Sequence, residues 1–260
     1  MIAVTRAVSP RLAECELTHL AREPIDIARA CAQHAAYEQL LCTLGDEIVR
    51  LPPAPDLPDG VFVEDTALVL DEIAVITRPG ARTRRLETSS VAALLAGYRG
   101  LRYLTPPATL DGGDVLGVGR TLYVGRSTRT NREGIEQLGD LLAPFDYRVV
   151  PVDFTGCLHL KSAVTEIGDA LLLLNPAWVS SAPFAPLGAV PIDEREAHAA
   201  NALRIGGTVV FPAHHPRTRE RLVAQGLEVA SVDCGELAKA EGGVTCCSLR
   251  FEAAARGAAA

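Results

Sequence analysis

Aromatic side chains, positive charge and long apolar runs are all scarce in this sequence. Aromatic residues make up 5% of the 260 residues, with one tryptophan among them. Acidic residues outnumber basic ones by 32 to 25, which gives a formal net charge of −7 at pH 7. This balance argues against nucleic acid and anionic membranes as partners, because like charges repel. No stretch approaches the ~20 consecutive apolar residues that a membrane-spanning helix needs.

The sequence also lacks regularly spaced pairs of cysteines and the cysteine and histidine spacings that are typical of metal sites. The seven cysteines are an odd number and are scattered along the chain, as is typical of free thiols in a reducing compartment. His214 and His215 have no paired cysteines nearby, so no zinc site is expected. The first residues lack the basic start and the apolar run of a signal peptide. These absences predict a cytoplasmic protein.

A repeating order of elements is present instead. Two strands joined by a tight turn, a helix and a third strand recur at intervals of roughly 40–50 residues, a period typical of propellers. The strand pairs are predicted at 61–70 with 73–77, 113–116 with 121–125, 160–164 with 170–174, and 200–204 with 208–211. Helices are predicted at 84–96, 129–142 and 216–225, and closing strands at 101–104, 147–152, 189–192 and 227–230. In the third repeat a turn near Trp178 replaces the helix.

The fifth repeat is completed by the beginning of the chain. Its first strand starts at Cys246, and the missing strand, helix and strand are supplied by residues 2–5, 25–44 and 48–51. Closure of this kind removes open sheet edges. This order of elements fits a propeller and an α/β sandwich with hairpins about equally well. No linker divides the chain, so we expect one domain over 1–252 and a disordered tail over 253–260.

Cys246 stands where two glycines lead into the last strand, a setting that can hold a thiol at the mouth of a pocket. A thiol nucleophile needs a group that favours the thiolate, a positioned electrophile and an acid for the leaving group. His159 has the corresponding position in the third repeat, and such positions converge on the axis of a propeller. A catalytic role and a structural hydrogen bond fit His159 about equally well.

Carboxylates occur at the start of the first two repeats. Glu64 and Asp65 interrupt an apolar run, where unpaired charge is costly to bury. Either a cationic ligand or a structural arginine must therefore compensate them. Asp59 precedes this pair, and Asp111 and Asp114 hold the corresponding place in the second repeat.

Arginines follow the same two hairpins. Arg84 and Arg129 lie near the predicted helix starts, and arginine can bind a carboxylate through two parallel hydrogen bonds. The carboxylates could bind a cationic group of a substrate, and the arginines could bind its carboxylate. Together with a cysteine and a histidine for catalysis, they indicate a zwitterionic substrate similar to arginine. Solvated helix-start arginines are the plainer interpretation of their neighbours Arg82, Arg85 and Arg132.

Six ordered segments resemble one family of enzymes. PDGVFVED, ITRPGA followed by TRR, TLDGGD, RTN, LHLKS and GGVTCCSLRF closely resemble the dimethylarginine dimethylaminohydrolases, over residues 17 to 251. Six motifs in order are far more specific than any one of them. The family belongs to the guanidino-group-modifying, or pentein, superfamily. The resemblance therefore implies an α/β fold, a five-bladed ββαβ propeller whose last blade is closed by the amino-terminal segment.

The resemblance also implies roles for individual residues. Cys246 matches the nucleophile, His159 the catalytic histidine, and Asp111 the carboxylate that orients this histidine; Cys247 is a neighbour. Asp65 matches the residue that holds the substrate guanidinium, and Asp59 and Glu64 line the same pocket. Arg84 and Arg129 match the clamp on the substrate α-carboxylate. Leu17 matches a lid residue, and the Ala240 carbonyl matches the acceptor of the substrate amine.

The activity that the resemblance implies is hydrolysis of Nω,Nω-dimethyl-L-arginine, and of the monomethyl form, to L-citrulline and the methylamine. The reaction would pass through a covalent thiouronium on the cysteine and requires no metal and no organic cofactor. The partner is then a small-molecule substrate, and a homodimer is an assembly to test. Two other functions remain open: an arginine deiminase of the same superfamily, and a protein that binds methylarginine without catalysis.

Overall fold

Five three-stranded sheets form the framework of the computed structural model, which describes residues 1–253. The strands are β1 Ile2–Thr5, β2 Glu47–Arg50, β3 Ala67–Val69, β4 Ile73–Ile76, β5 Gly100–Tyr103, β6 Val115–Val118, β7 Thr121–Arg126, β8 Arg148–Asp153, β9 Val164–Gly168, β10 Leu171–Leu174, β11 Gly188–Pro191, β12 Leu203–Ile205, β13 Thr208–Pro212, β14 Glu228–Val232 and β15 Leu249–Phe251. The α-helices are α1 Ile27–Thr43, α2 Thr88–Leu95, α3 Arg132–Leu142, α4 Leu160–Ala163, α5 Pro216–Ala224 and α6 Gly235–Ala238. Turns of 3-10 helix lie at Leu12–Glu14, Val63–Thr66, Arg82–Glu87, Gly112–Asp114, Ala143–Phe145 and Ala182–Phe184.

Each sheet has the same internal order. In the first blade β3 and β4 pair antiparallel, and β5 returns after α2 to pair in parallel with β4. The middle strand is buried along its whole length, as the apolar run Ile73–Ile76 requires. The same pattern recurs in the other four sheets. The five-bladed ββαβ propeller is therefore confirmed, and the sandwich is excluded.

The ends of the described chain share the fifth blade, as predicted. Strand β1 lies between β15, which runs antiparallel to it, and β2, which runs parallel. Helix α1 connects β1 to β2 and begins at Ile27, because the Asp26 carboxylate accepts the Arg29 backbone N–H at 3.0 Å and caps it. The helix ends before Gly45, whose φ of +98° favours glycine.

Three segments predicted as strands begin instead with a helical turn. Residues Val63–Thr66 form a 3-10 helix before β3, Gly112–Asp114 form another before β6, and Leu160–Ala163 form α4 before β9. Thr66 Oγ1 closes the first turn by donating to the Val63 carbonyl at 2.6 Å. In a strand, neighbouring side chains would point to opposite faces. In the helical turns the charged side chains of these segments do not have to alternate between two opposite faces.

Three further observations concern earlier expectations. Within residues 1–253 no helix is long and apolar enough to cross a membrane. All seven cysteines are free thiols, as predicted. The tail predicted as disordered lies, except for its first residue, outside the described residues, and the single domain over 1–252 stays a prediction.

The buried ion pair between Asp46 and Arg250 provides a test of ring closure. Arg250 in β15 donates to both Asp46 oxygens, at 2.5 and 2.9 Å, just before β2 begins. Removing one partner leaves a buried charge uncompensated, so we expect Asp46→Ala to lower the free energy of unfolding by about 3 kcal/mol in urea denaturation. The control Glu136→Ala breaks an exposed pair with Arg132 and should change little. Equal effects would contradict a role of the buried pair in closure.

Candidate active site

Residues from the beginnings of several blades converge on one small pocket. Its walls contain seven of the ten residues singled out by sequence: Asp59, Asp65, Arg84, Arg129, His159, Ala240 and Cys246. Glu16, Phe62, Leu158, Glu241 and Gly242 complete the walls. The remaining three, Leu17, Glu64 and Asp111, do not line the pocket. The convergence expected for the axis of a propeller is therefore present.

Cys246 lies in a tight turn directly before β15. Its Sγ accepts the Gly243 backbone N–H at 3.3 Å, and its carbonyl accepts the Glu64 N–H at 3.1 Å. A Cβ on Gly242 would lie 2.2 Å from the Phe62 ring, and one on Gly243 would lie 2.3 Å from the Asn201 side chain. The two glycines are thus required by close packing around the turn.

Asn201, on the segment before β12, supports this turn from below and was not identified by sequence. Its Oδ1 accepts the Thr245 N–H at 3.1 Å, and its Nδ2 donates to Thr245 Oγ1 at 3.0 Å. The Thr245 hydroxyl in turn donates to Glu64 at 2.8 Å. These bonds fix the backbone that presents Cys246 to the pocket.

The two adjacent thiols have different surroundings. Burial raises the pKa of Cys246 well above its usual range, and the Glu64 and Asp65 carboxylates raise it further. Cys246 is therefore a thiol at neutral pH. Cys247 does not line the pocket; its Sγ points to the Gly243 carbonyl at 3.7 Å, and it packs in the apolar core. The structure thus separates the pair, and Cys246 alone faces the pocket.

His159 is surrounded by carboxylates. Its Nε2 lies 3.1 Å from Asp111 Oδ2, and its Nδ1 lies 3.8 Å from Asp65 Oδ1. Burial by itself lowers the pKa of a histidine, but here the Asp65 charge and the hydrogen bond to Asp111, aided by Asp114, raise it to about 9. His159 is consequently an imidazolium at neutral pH and can donate a proton.

Asp111 is completely buried and orients the imidazole. Its Oδ1 accepts the Gly80 N–H at 2.9 Å, which leaves Oδ2 for His159. The glycines after it are needed sterically: a Cβ on Gly113 would lie 2.5 Å from His159 Nδ1, and one on Gly112 would lie 2.0 Å from a backbone oxygen. The motif TLDGGD is therefore shaped around the histidine.

Asp114 stands at the end of the same motif, and sequence reasoning gave it no role. It accepts the Ser127 hydroxyl at 2.6 Å and the Leu160 backbone N–H at 3.0 Å. Burial raises the pKa of Asp114 to about 6, although the nearby His159 opposes this shift. Asp114 thereby holds the peptide that follows His159.

Asp65 accepts hydrogen bonds from two directions. Arg84 Nη1 lies 2.5 Å from its Oδ2, and the Gly113 N–H donates to its Oδ1 at 2.9 Å. Burial alone would raise the pKa of Asp65, but His159 and Arg84 hold it well below its usual range. Arg84 is held in turn by Glu87 at 2.8 Å. The arginine that was expected to compensate the buried carboxylates is therefore Arg84, whose guanidinium is bound to Asp65.

Glu64 has its own cation. Lys161 Nζ lies 2.5 Å from Glu64 Oε1, and both residues line a separate cavity on the far side of the turn. Sequence reasoning placed Glu64 in the same pocket as Asp59 and Asp65. The structure places its carboxylate against Lys161 and the Thr245 hydroxyl, in the wall of that separate cavity.

The segment 16–20 covers the pocket. The Glu241 carboxylate accepts three consecutive backbone N–H groups, those of residues 18, 19 and 20, at 2.5–3.0 Å. Asp59 accepts the Glu16 N–H at 3.2 Å, and Arg129 Nη2 reaches Thr18 Oγ1 at 3.3 Å. Leu17 packs half-buried on the core cluster that contains Cys246. Glu241, in a chain region without a distinctive pattern, was missed by sequence.

A metal does not suit the donor atoms at this site. Asp65, Asp111 and His159 offer three potential ligand atoms within 4.8 Å of one another. Each carboxylate already accepts a backbone N–H, and Asp65 also binds Arg84. The donor set fits an internal network of ion pairs.

Comparison with known sequences identifies relatives over nearly the whole chain. No protein-family model matches. The chain is 42% identical over 251 residues to N(G),N(G)-dimethylarginine dimethylaminohydrolase of Streptomyces coelicolor, which covers 96% of each protein. It is 39% identical over 228 residues to the protein of the same name from Pseudomonas aeruginosa, or 87% of this chain and 90% of the relative.

Solved structures agree with these relatives. A mutant of the Pseudomonas aeruginosa dimethylarginine dimethylaminohydrolase complexed with citrulline superposes with a TM-score of 0.92 at 36% identity, over 96% of this chain and 98% of that chain. The amino-terminal domain of ArgZ, a cyanobacterial arginine dihydrolase, has a TM-score of 0.81 at 20% identity, over 96% and 97%. The second likeness concerns the fold alone.

The raised pKa of His159 predicts a pH-dependent stability. The pKa is about 9 in the folded protein and about 6.5 in an unfolded chain. The interactions of the imidazolium with Asp65, Asp111 and Asp114 therefore stabilise the fold fully below pH ~6.5 and are lost as the pH rises through about 9. We expect the free energy of unfolding, from urea denaturation, to fall over this interval. In His159→Gln this part of the decline should be absent; equal slopes would contradict the assignment.

Proposed function

This chain belongs to the dimethylarginine dimethylaminohydrolase family, and we propose that its pocket hydrolyses Nω,Nω-dimethyl-L-arginine to L-citrulline and dimethylamine. Nω-monomethyl-L-arginine gives citrulline and methylamine in the same way. The observation that carries the proposal is the presence of a thiol, an imidazolium and a carboxylate in one pocket: Cys246, His159 and Asp65. The relatives bear the corresponding name, and the related crystal structure contains citrulline.

Asp65 is suited to hold the guanidinium of the substrate. Its carboxylate already accepts a guanidinium nitrogen, that of Arg84, at 2.5 Å. A bound substrate cation also places positive charge beside Cys246. This charge offsets the effect of burial and carboxylates on the thiol pKa, so the thiol can release its proton to solvent as the substrate binds.

The covalent half of the reaction follows from the protonation states. The Cys246 thiolate attacks the guanidinium carbon and forms a C–S bond, which gives a tetrahedral intermediate. His159, an imidazolium at neutral pH, transfers its proton to the substituted nitrogen. The C–N bond then breaks, dimethylamine leaves, and a thiouronium remains on Cys246.

The hydrolytic half uses the same histidine as a base. Neutral His159 takes a proton from water as the oxygen attacks the thiouronium carbon. The C–S bond breaks, which releases citrulline and returns the Cys246 thiolate. Asp111, 3.1 Å from Nε2, keeps the imidazole in one orientation through both halves.

Substrate entry requires movement of the cover. The pocket volume is about 10 Å³, room for about one water molecule and far less than a methylarginine needs. Segment 16–20, which includes Leu17, must therefore move away from Glu241 and Arg129. The Ala240 carbonyl, in the pocket wall, is then placed to accept the substrate amine.

Arg129 and Arg84 are proposed to clamp the substrate carboxylate, but they differ in the partners they have before the substrate binds. Arg129 Nη1 is buried without a hydrogen-bond partner among residues 1–253, so it has a donor available. Arg84 is fully engaged by Asp65 and Glu87. For Arg84 to serve the carboxylate while Asp65 serves the guanidinium, Arg84 must exchange partners when substrate binds.

The remaining features of the proposal concern the setting of the enzyme. A small molecule is the partner that the reaction requires. The homodimer and the cytoplasmic location stay predictions, which sedimentation analysis and cell fractionation test.

The first prediction on activity separates the adjacent thiols. With dimethylarginine as substrate we expect citrulline and dimethylamine in equal amounts. Cys246→Ser should lower citrulline formation by at least roughly a thousandfold, because the nucleophile is lost. The matched variant Cys247→Ser should retain substantial activity, since Cys247 lies in the core and not in the pocket.

Three outcomes decide this experiment. Equal losses in the two cysteine variants would contradict the assignment of the nucleophile. Ammonia release from arginine with a higher kcat/KM than dimethylarginine would favour the deiminase. Tight reversible binding without a covalent adduct on Cys246, as detected by mass spectrometry, would favour a binding protein.

The second prediction concerns the carboxylate clamp. Arg129→Ala should raise KM for dimethylarginine by at least about tenfold with a smaller effect on kcat, because a binding contact is lost. Steady-state kinetics measure both constants. The control Arg132→Ala, three residues along with an 84% exposed side chain, should leave them unchanged. A fall in kcat alone would show that Arg129 is not a clamp.

A further inference from the structure

A second cavity of about 310 Å³ lies beside the Cys246 pocket. Four of the six histidines of the chain line it: His19, His198, His214 and His215. Sequence reasoning gave no role to His214 and His215, and His215 is only 9% exposed. The mechanism above uses none of these four imidazoles.

Glu23, an exposed residue, is the one carboxylate lining this histidine cleft that has no ion pair or hydrogen bond within residues 1–253, and three imidazoles of the cleft are uncharged. Burial lowers the pKa of His198 and His214, and burial together with His214 lowers that of His215 to about 4. All three rings are therefore neutral at pH 7, and each offers one hydrogen-bond donor and one acceptor. The charged groups Lys239 and Glu241 already bind Glu236 and the backbone of the 16–20 segment, respectively.

The ring nitrogens lack internal partners. Among residues 1–253, no hydrogen bond joins the imidazoles of His198, His214 or His215 to another residue. In the described residues they do not form a metal centre either. Within residues 1–253 the group of three side chains whose donor atoms lie close enough together to hold a metal is Asp65, Asp111 and His159. The donors and acceptors of the cleft are thus free for an organic ligand.

The aromatic and apolar walls favour a flat molecule. The His214 and His215 rings lie 4.3 Å apart between centroids, and Leu20, Leu158 and Pro212 add apolar surface. Mostly apolar cavities of this volume with a few convergent polar groups are typical of small-molecule sites. Aromatic faces contribute most when they contact other flat rings.

We propose that the histidine cleft binds an uncharged planar nitrogen heterocycle of one or two rings, which contacts the imidazole faces and hydrogen-bonds to their nitrogens. The site is distinct from the Cys246 pocket. Leu158, Glu241 and Gly242 contribute to both cavities and form the wall between them. A bound heterocycle also touches the segment that covers the pocket, through Leu20.

Adenine is a suitable probe, because it is planar, uncharged at pH 7 and rich in donors and acceptors. Isothermal titration calorimetry should show saturable binding with a Kd in the range of roughly 10 µM to 1 mM. Trp178, the single tryptophan, packs edge-on against His198 at 5.0 Å between centroids. Its fluorescence should change along the same titration curve and so localise the binding.

Substitution of exposed rings gives the decisive comparison. The double variant His198→Ala/His214→Ala should weaken adenine binding at least about tenfold. Both residues are partly exposed, so the fold should persist, which urea denaturation checks. The control Glu194→Ala changes an exposed residue of the same loop that does not line the cleft and should leave the Kd unchanged.

Four results would overturn the proposal. One is the absence of saturable binding up to about 10 mM adenine. Another is an unchanged Kd in the double variant. The third is displacement of adenine by citrulline, which would place the probe in the Cys246 pocket. The last is loss of binding on addition of EDTA, which would indicate a bridging metal.

Discussion

Four charged side chains, Asp65, Arg84, Asp111 and His159, are buried against one another at the axis of the propeller, and the geometry of the site depends on their mutual compensation. Unpaired, each would be costly to bury. Together they place an imidazolium between two carboxylates, at 3.1 and 3.8 Å. Because each group comes from a different segment of the chain, the network can form only when the blades that carry these segments have been assembled in the native arrangement. Fold and chemistry are thus coupled through electrostatics.

A second layer of neutral contacts gives this network its position. Backbone N–H groups hold the carboxylates, and the glycines of TLDGGD and GGVTCC allow the closest approaches. The thiol has the opposite environment, since burial and two nearby carboxylates keep it protonated. In the proposed mechanism the substrate cation supplies the missing positive charge. Cys246 would then be a thiolate only when substrate is bound, which would limit its side reactions.

Much of this organisation could be predicted from the sequence, because its signals are local. The repeat of elements, the closure of the fifth blade and the placement of Cys246 and His159 at blade starts follow from apolar periodicity and glycine positions. The helical turn at Val63–Thr66 could not be predicted, since its residues also fit a strand. The partner of Arg84 and the contacts of Glu241 were equally hidden. Both depend on which distant backbone groups lie within reach, and no local pattern encodes that.

The pairing of Ile2 with Phe251 has a consequence for how the protein is made. Among the described strands β1 is synthesised first, and its antiparallel neighbour β15 is synthesised last. The nascent chain must therefore keep an apolar strand with an unpaired edge until β15 has been made, and such long-range contacts fold slowly. Since the Cys246 turn immediately precedes β15, the Cys246 thiol enters its pocket only after the other four blades have been synthesised. Chains that stop before this turn would lack Cys246 and would expose the unpaired edge of β1, which favours aggregation.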